Sequence, residues 1–502
     1  MHRCLAAIGL CVSAIASAAC SSTAQHGVMP DPAASAMEAV VAPSSLETFD
    51  PHQATQGSTS ADTASMTVAS ASTADASAAE TAFVAAAPST PPAASSRARN
   101  AARFGPGVSE RVLRIGAIDP GPAPEYYKVL YPETFRPDFK RVWQVVTEAI
   151  NSTGGILGRK IEVVLLRQPT DQETSDEQIC ARFTEEEPVI AVAGVLGEAA
   201  PCLDDAGIAS LPHSYTLEPD FYNRAPHALA ALGISQRRAT QLYVEGLYQQ
   251  GFFDGDHKIG LLRFDNGLYP MLAEKIVKPT LARYGLQIEE EVVITAPEDQ
   301  SDERIAQARE EGWSGVKRFK EAGVDRVLTL DVGSFMLPEF TKYAEKQLYY
   351  PRYGLSSLNG GEWDMERNQL KGSMGIGWMP WLDLEPDDAY RHGSEGARRC
   401  YDLMDAAGES RQMDTYNEGI HTSSICDAAL FLKTAVEAGG PSITADSIVA
   451  GAERLGTSFQ GANTLVTRFG PGRHEGVAGI RFLRWFTACG CFRYTSELLD
   501  AG

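Results

Sequence analysis

The segment Asn151-Ser-Thr-Gly-Gly-Ile-Leu-Gly-Arg159-Lys160 constrains the fold more than any other part of the sequence. Before it, Phe139, Val142, Trp143, Val146 and Ile150 recur every three or four residues, the spacing of one apolar helix face. Asn151 offers a C-terminal stop, and Gly154-Gly155 admits the positive φ angles that a β-carbon resists. The apolar run Ile161 to Leu166 follows directly and reads as a buried strand. With the strand-like run Val112 to Ile118 upstream, the order is strand, loop, helix, glycine turn, strand. That is a βαβ unit, and it requires a parallel sheet.

The same alternation continues for most of the chain. Val189 to Val195 is a short apolar run rich in β-branched residues, followed by a helical pattern over Ala199 to Ala206 and a strand at Ile208 to Leu211. Helices are expected at Ala239–Gln250, Leu272–Tyr284, Gly315–Ala322 and Leu337–Gln347, with strands at Lys258–Arg263, Glu290–Thr295, Val327–Leu330 and Tyr353–Ser356 between and after them. Gly372–Trp378 reads as a strand or an extended crossover, and Asp388–Ala407 and Thr422–Ala438 as helices. Leu465–Thr467 and Ile480–Thr487 suggest a terminal β-hairpin, with Gly470-Pro-Gly472 and Gly476 in its turn. The pattern is doubly wound α/β in two successive sheets.

The tail Ala-Ile-Asn-Ser-Thr-Gly-Gly-Ile-Leu-Gly-Arg-Lys-Ile-Glu-Val, in its place behind the first strand, resembles the early turn of the type 1 periplasmic binding proteins. The resemblance is to the leucine/isoleucine/valine-binding receptors of ABC transporters and extends over nearly the whole globular part. It implies two doubly wound parallel-sheet lobes joined by a three-strand hinge, with lobe one over 111–237 and 385–460 and lobe two over 238–384 and 461–502. It also implies a small-molecule ligand captured by hinge closure and a membrane ABC permease as partner, with no cofactor and no enzymatic activity. A ligand-sensing receptor of the same fold is one alternative, and an exported α/β hydrolase another.

The ends of the chain are read differently. Met1-His-Arg3, an apolar run from Leu5 and the small residues Ser17-Ala18-Ala19 have the layout of a secretion signal over 1–20. Cys20 resembles the acylated cysteine of bacterial lipoproteins, although Ser17 stands where that pattern prefers Leu. Residues 21–110 are dominated by Ala, Ser, Thr and Pro, a composition expected to stay disordered and to act as a tether. The chain is therefore expected to be exported and held at the outer face of the cell membrane by a lipid anchor, or free in the periplasm. A formal charge of −21 argues against nucleic acid, which needs a concentrated basic surface.

Beyond Cys4, Cys11 and Cys20, the chain carries Cys180, Cys202, Cys400, Cys426, Cys489 and Cys491. An even set in an exported protein reads as disulfides, and sequence alone admits many pairings. The family resemblance implies Cys180 with Cys202. Cys400 with Cys426 comes next, which leaves Cys489 and Cys491 either joined in a short ring or free. No Cys or His lies at metal-site spacing.

Ligands of open α/β sheets lie beyond the carboxyl ends of the strands. The loop from Asp119 to Tyr127 offers Glu125, Tyr126 and Tyr127 as a pocket wall, or is simply a proline-rich surface loop. In Gly194-Val-Leu-Gly197-Glu198 the family resemblance implies a carboxylate-holding turn with a serine pair, where this chain has Gly197 and Glu198. A carboxylate facing a ligand carboxylate costs about 1–4 kcal/mol, so Glu198 disfavours an α-amino acid in the usual pose or else caps its helix. The same resemblance makes Ser214, Tyr215 and Thr216 ligand contacts, and places Asp265 and Tyr269 on a lobe-two loop whose tyrosine packs on ligand. Asp331 and Ser356 complete the second wall, Asp331 as a partner for a ligand cation or as a turn cap. Trp378 and Trp381 flank the crossover and either shape the cleft floor or pack between the lobes. No nucleophile elbow, zinc-protease helix or phosphate-binding loop is present.

Overall fold

The structure, a computed structural model, describes residues 103–121, 137–167, 175–194, 199–212, 219–296, 301–330, 336–357, 365–384, 391–414 and 416–502. The expected leader, Cys20 and most of the tether lie outside these residues.

The first βαβ unit is built from β1 (Val112–Asp119), α1 (Phe139–Ser152) and β2 (Lys160–Arg167). Asp138 caps α1 by accepting from the Arg141 N–H, and Phe139, Val142, Trp143, Val146 and Ile150 form its buried face, as the periodicity predicts. Asn151 does more than stop the helix. Its side chain donates to the Ile161 carbonyl at 3.0 Å and accepts from the Ile161 N–H at 2.7 Å, pinning the end of α1 to β2. Gly155 lets this happen: φ is +73°, and a Cβ there would stand 1.9 Å from the Arg159 carbonyl oxygen.

After β2 come α2 (Asp176–Ala181), a π-helical turn at Arg182–Glu186, β3 (Ala191–Ala193), α3 (Ala199–Asp205), β4 (Ala209–Leu211) and α4 (Pro219–Arg224). The first sheet runs β2-β1-β3-β4, all parallel. Next is α5 (Gln236–Gln249), capped by Ser235, and then β5 (Ile259–Phe264). Helix α6 (Tyr269–Leu272), a π turn at Ala273–Val277 and α7 (Lys278–Arg283) form one rod before β6 (Ile288–Ile294). Then α8 (Asp302–Ala322), β7 (Arg326–Leu330), α9 (Met336–Lys346), β8 (Arg352–Ser356) and β9 (Met374–Gly377) complete the parallel part of the second sheet. Its order is β6-β5-β7-β8-β9, extended by β10 (Gly479–Phe486) and β11 (Cys491–Tyr494), both antiparallel to their neighbours, while the short β12 (Leu499–Asp500) pairs with β10.

Between β9 and β10 the chain returns to the first sheet. It forms α10 (Glu395–Ala406), α11 (Tyr416–Gly439) and α12 (Ala445–Arg454). Arg141 of α1 pairs with Glu409 at 2.8 Å, and the Gln412 side chain accepts from the Asp138 N–H, which fixes this helical group to α1. The chain thus passes between the two sheets three times.

Two expectations need correction. The terminal hairpin is β10 with β11, turned at Gly490 with φ +61°. Thr467 bridges Val477, flanked by the Arg468 N–H on the Gly476 carbonyl at 2.8 Å and the Ala478 N–H on the Val466 carbonyl at 3.0 Å, so the expected first strand pairs with residues 476–478 ahead of β10 and not with β10 itself. Helix α8 begins at Asp302, well before the expected Gly315, since its first half buries little beyond Ile305 and Ala308 and shows weak periodicity.

Disulfides join Cys180 of α2 to Cys202 of α3, Cys400 of α10 to Cys426 of α11, and Cys489 to Cys491 in the last hairpin. Closing chain separations of 22 and 26 residues removes unfolded-state entropy equivalent to about 3.5 kcal/mol each, while a separation of 2 gives only about 1.5 kcal/mol.

Candidate ligand-binding site

Within each sheet the parallel strands end on one edge. In the first, β1 ends on Asp119, β3 is followed by Gly194 with φ +85°, and β4 is followed by Pro212. In the second, β5 runs into Asp265, β7 ends at Leu330, β8 at Ser356 and β9 at Gly377. Such edges, where strand order reverses around β1 and around β5, are where open α/β sheets accept ligands.

Tyr126, Glu198, Ser214, Tyr215, Thr216 and Asp331 lie outside the described residues. Asp265, Tyr269 and Ser356 are described, and all three belong to the second sheet. Asp265 Oδ1 accepts from the Ala296 N–H at 2.9 Å, and its own N–H donates to the Ile294 carbonyl. The residue therefore ties the end of β5 to the end of β6. Tyr269 opens α6, with Pro270 setting the first turn, and its ring lies 6.1 Å from that of Phe264, tilted by 52° and half-buried. Ser356 is buried at the end of β8. On the first sheet, Asp119 is also buried, and its Oδ1 accepts from the Gly121 N–H at 2.9 Å.

The three crossings run side by side and hydrogen-bond to one another. In the first, the Ala230 N–H donates to the His474 carbonyl, and the Ala230 carbonyl accepts from the Gly476 N–H, both at 2.9 Å. The Val477 N–H reaches the Gly233 carbonyl at 3.0 Å. The second crossing joins the third through the Leu465 N–H and the Trp378 carbonyl at 2.7 Å. Gly476 is required at the contact, since a Cβ would stand 2.0 Å from the Ala231 carbonyl oxygen. Backbone pairing of this sort fixes the register of the segments.

Trp378 and Trp381 sit in the second crossing and are fully buried. Ser357 Oγ accepts from the Trp378 N–H at 3.0 Å, which links this crossing to the end of β8. Trp381 Nε1 donates to Asn463 Oδ1 at 3.3 Å, and Asn463 Nδ2 reaches Ser424 Oγ of α11 at 3.4 Å. The burial of both rings assigns them to packing between crossings.

The sequence reading missed Asp427. This residue lies in the apolar middle of α11 and is 2% exposed. Both carboxylate oxygens accept from the Ala462 N–H of the third crossing, at 2.8 and 2.9 Å. Burial pushes its carboxyl up to about 7, opposed by the Ala462 and Asn463 N–H groups and by the Arg399 charge. The signal was present: one acid within Ile425-Cys-Asp427-Ala-Ala-Leu-Phe431 needs a buried partner. On the second sheet, Tyr243 of α5 donates to the Gly354 carbonyl at 2.7 Å and accepts from the Thr329 N–H; burial raises its phenol well above the usual range.

Among the described residues, no three His, Cys, Asp or Glu side chains gather to hold a metal ion, and no helix is long and apolar enough to cross a membrane.

Comparison with known proteins bears on this architecture. Residues 132–489 match the family described as periplasmic binding protein. No curated protein is similar enough in sequence to be matched. Among solved structures, a solute-binding protein of an ABC transporter from R. palustris in complex with 4-hydroxybenzoate superposes with a TM-score of 0.56 at 13% identity, covering 78% of this chain and 98% of its own. A branched-chain amino acid ABC transporter protein from Thermus thermophilus with bound valine gives 0.54 at 12%, covering 78% and 97%. A fatty acid ABC transporter substrate-binding protein from Thermomonospora curvata gives 0.54 at 14%, covering 79% and 95%. At these identities the structures establish the shared fold, and the family match establishes the relationship. The chain belongs to the periplasmic binding protein family.

Proposed function

We propose that the chain is an extracytoplasmic solute-binding protein of an ABC-type transporter, which captures a small polar ligand between two lobes and delivers it unaltered to a membrane permease. The observation that carries this reading is the set of three crossings between two parallel sheets, the third hydrogen-bonded to each of the other two. A ligand touching both strand-end edges favours the closed arrangement over the open one by its differential contacts, which is all that hinge closure requires. The lobes are 111–237 with 385–460 and 238–384 with 461–502, and acylation of Cys20 holds the protein at the membrane. The solved relatives carry a hydroxybenzoate and an amino acid and include a fatty acid carrier, so the fold accommodates several ligand classes. Gly197 and Glu198 in place of the serine pair disfavour an α-amino acid in the usual pose, which leaves an amino acid held otherwise, an amide or a related solute.

The second wall rests on Tyr269. Replacing it by Ala is expected to weaken ligand binding about tenfold, the loss of a well-packed aromatic contact of about 1.4 kcal/mol, while melting stays within a few degrees of wild type. Titration calorimetry with a solute that stabilises the wild-type protein provides the measurement. Unchanged affinity in a folded variant rejects Tyr269 as a ligand contact.

A further inference from the structure

The Cys489–Cys491 bridge has no part in the hinge or the strand-end edges, and only its Cys491 end is buried. It closes a ring with a single intervening residue at the tip of the β10–β11 hairpin, and of the three disulfides it constrains the unfolded chain least. Gly490 supplies the left-handed turn that so small a ring needs, with φ +61°. The two sulfurs differ in access: Cys489 is exposed and Cys491 is 9% exposed, at the start of β11. The other bridges join helices, and Cys400 and Cys426 are buried to 1% exposure or less.

The surroundings are basic and apolar. Arg367 Nη1 stands 3.0 Å from the point a Cβ on Gly490 would occupy, which brings a guanidinium beside the ring. Arg484 and Arg493 form a cross-strand pair two residues from the Phe486–Cys491 pair, and Phe486 leaves 42% of its surface exposed. Fixed positive charge lowers the cost of a thiolate, and exposed disulfides that add little to stability are the labile, exchanging kind.

We propose that Cys489–Cys491 is a redox-active disulfide that exchanges with low-molecular-weight thiols, separate from solute binding. The thiolate of one thiol molecule attacks Cys489 Sγ and forms a mixed disulfide. The Cys489–Cys491 bond breaks, its electron pair leaves on Cys491 Sγ, and that sulfur takes up a proton. The thiolate of a second thiol molecule attacks the first molecule's sulfur. A small-molecule disulfide departs, and Cys489 Sγ keeps the electron pair and is protonated. Two electrons pass from two thiols to the protein, and the reverse sequence reoxidises it.

The test uses the full chain in buffers of graded ratio of reduced to oxidised glutathione, quenched with N-ethylmaleimide and read by peptide mass mapping. Cys489 and Cys491 are expected to be alkylated together at a ratio that labels the other two pairs about tenfold less. Reduction of all three bridges at one ratio, or of this bridge last, overturns the proposal. A Cys491→Ser chain treated with oxidised glutathione is expected to accumulate a mixed disulfide on Cys489. Its absence overturns the assignment of the attacked sulfur. Arg367→Gln is expected to slow exchange roughly threefold at an unchanged melting temperature, and an unchanged rate removes the guanidinium from the account.

Discussion

At Gly155 and Gly154, adjacent in the turn that closes α1, the same side chain is absent for different reasons. A Cβ at Gly155 would meet the Arg159 carbonyl oxygen at 1.9 Å, a backbone atom that cannot yield without moving β2. Gly154 has φ +102° and open space around it, so only its own backbone angle resists a side chain. Gly155→Ala is therefore expected to destabilise the protein by about 2–4 kcal/mol, and Gly154→Ala by about 1–2 kcal/mol. Denaturant unfolding of the two variants checks the order, and equal losses would contradict the steric account. Both glycines were legible in the sequence as a turn. What was not legible is that Asn151 holds Ile161 through both its amide atoms, because a contact across ten residues depends on where the strand begins. Asp265 shows the same limit. Its position after β5 marked it for ligand, and only the geometry shows its carboxylate holding the loop to the end of β6.

Among the elements, α11 joins the helical group of the first sheet to the crossings. Asp427 binds the third crossing and Ser424 reaches Asn463, which in turn accepts from Trp381 of the second. The ordinary value for an aspartate is 3.8, and burial carries Asp427 to about 7. The folded protein therefore holds this proton more tightly than the unfolded chain does. Stability contributed by the protonated acid is fully present below about pH 4, declines as pH rises toward 7 and is level above it. Asp427→Asn cannot ionise, so across that window the wild type is expected to lose stability relative to the variant, by on the order of 4 kcal/mol. Thermal unfolding of both proteins between pH 4 and 8 measures this, and parallel profiles would contradict it. Elements with a continuous apolar face, such as α1 and α9, were legible from spacing. The first half of α8 is mostly solvated, so its sequence carries charge where a period would be. The hairpin was misread for another reason: residues 466–468 pair with 476–478, ahead of β10, and β10 itself pairs with β9 and β11.

For the molecule as a whole, the order of strands and helices alone announced two parallel sheets, since each βαβ unit determines the next. The antiparallel β10 and β11 at the end of the second sheet follow from the third crossing, which delivers the chain back at the sheet's edge. The candidate site was less legible than the fold. Most of the residues expected at the strand ends lie outside the described residues, and a ligand contact leaves no pattern of apolar spacing to read. The central claim is that two lobes close on a solute and release it unchanged. The most direct measurement is the melting temperature of the full chain against a panel of amides, urea-like solutes, amino acids, aromatic acids and fatty acids, with each stabilising solute recovered afterwards by mass spectrometry. The account predicts that one chemical class raises the melting temperature in proportion to ln(1 + [L]/Kd) and is recovered intact. Conversion of a stabilising solute to product, or a flat response across the panel at millimolar concentration, would contradict it.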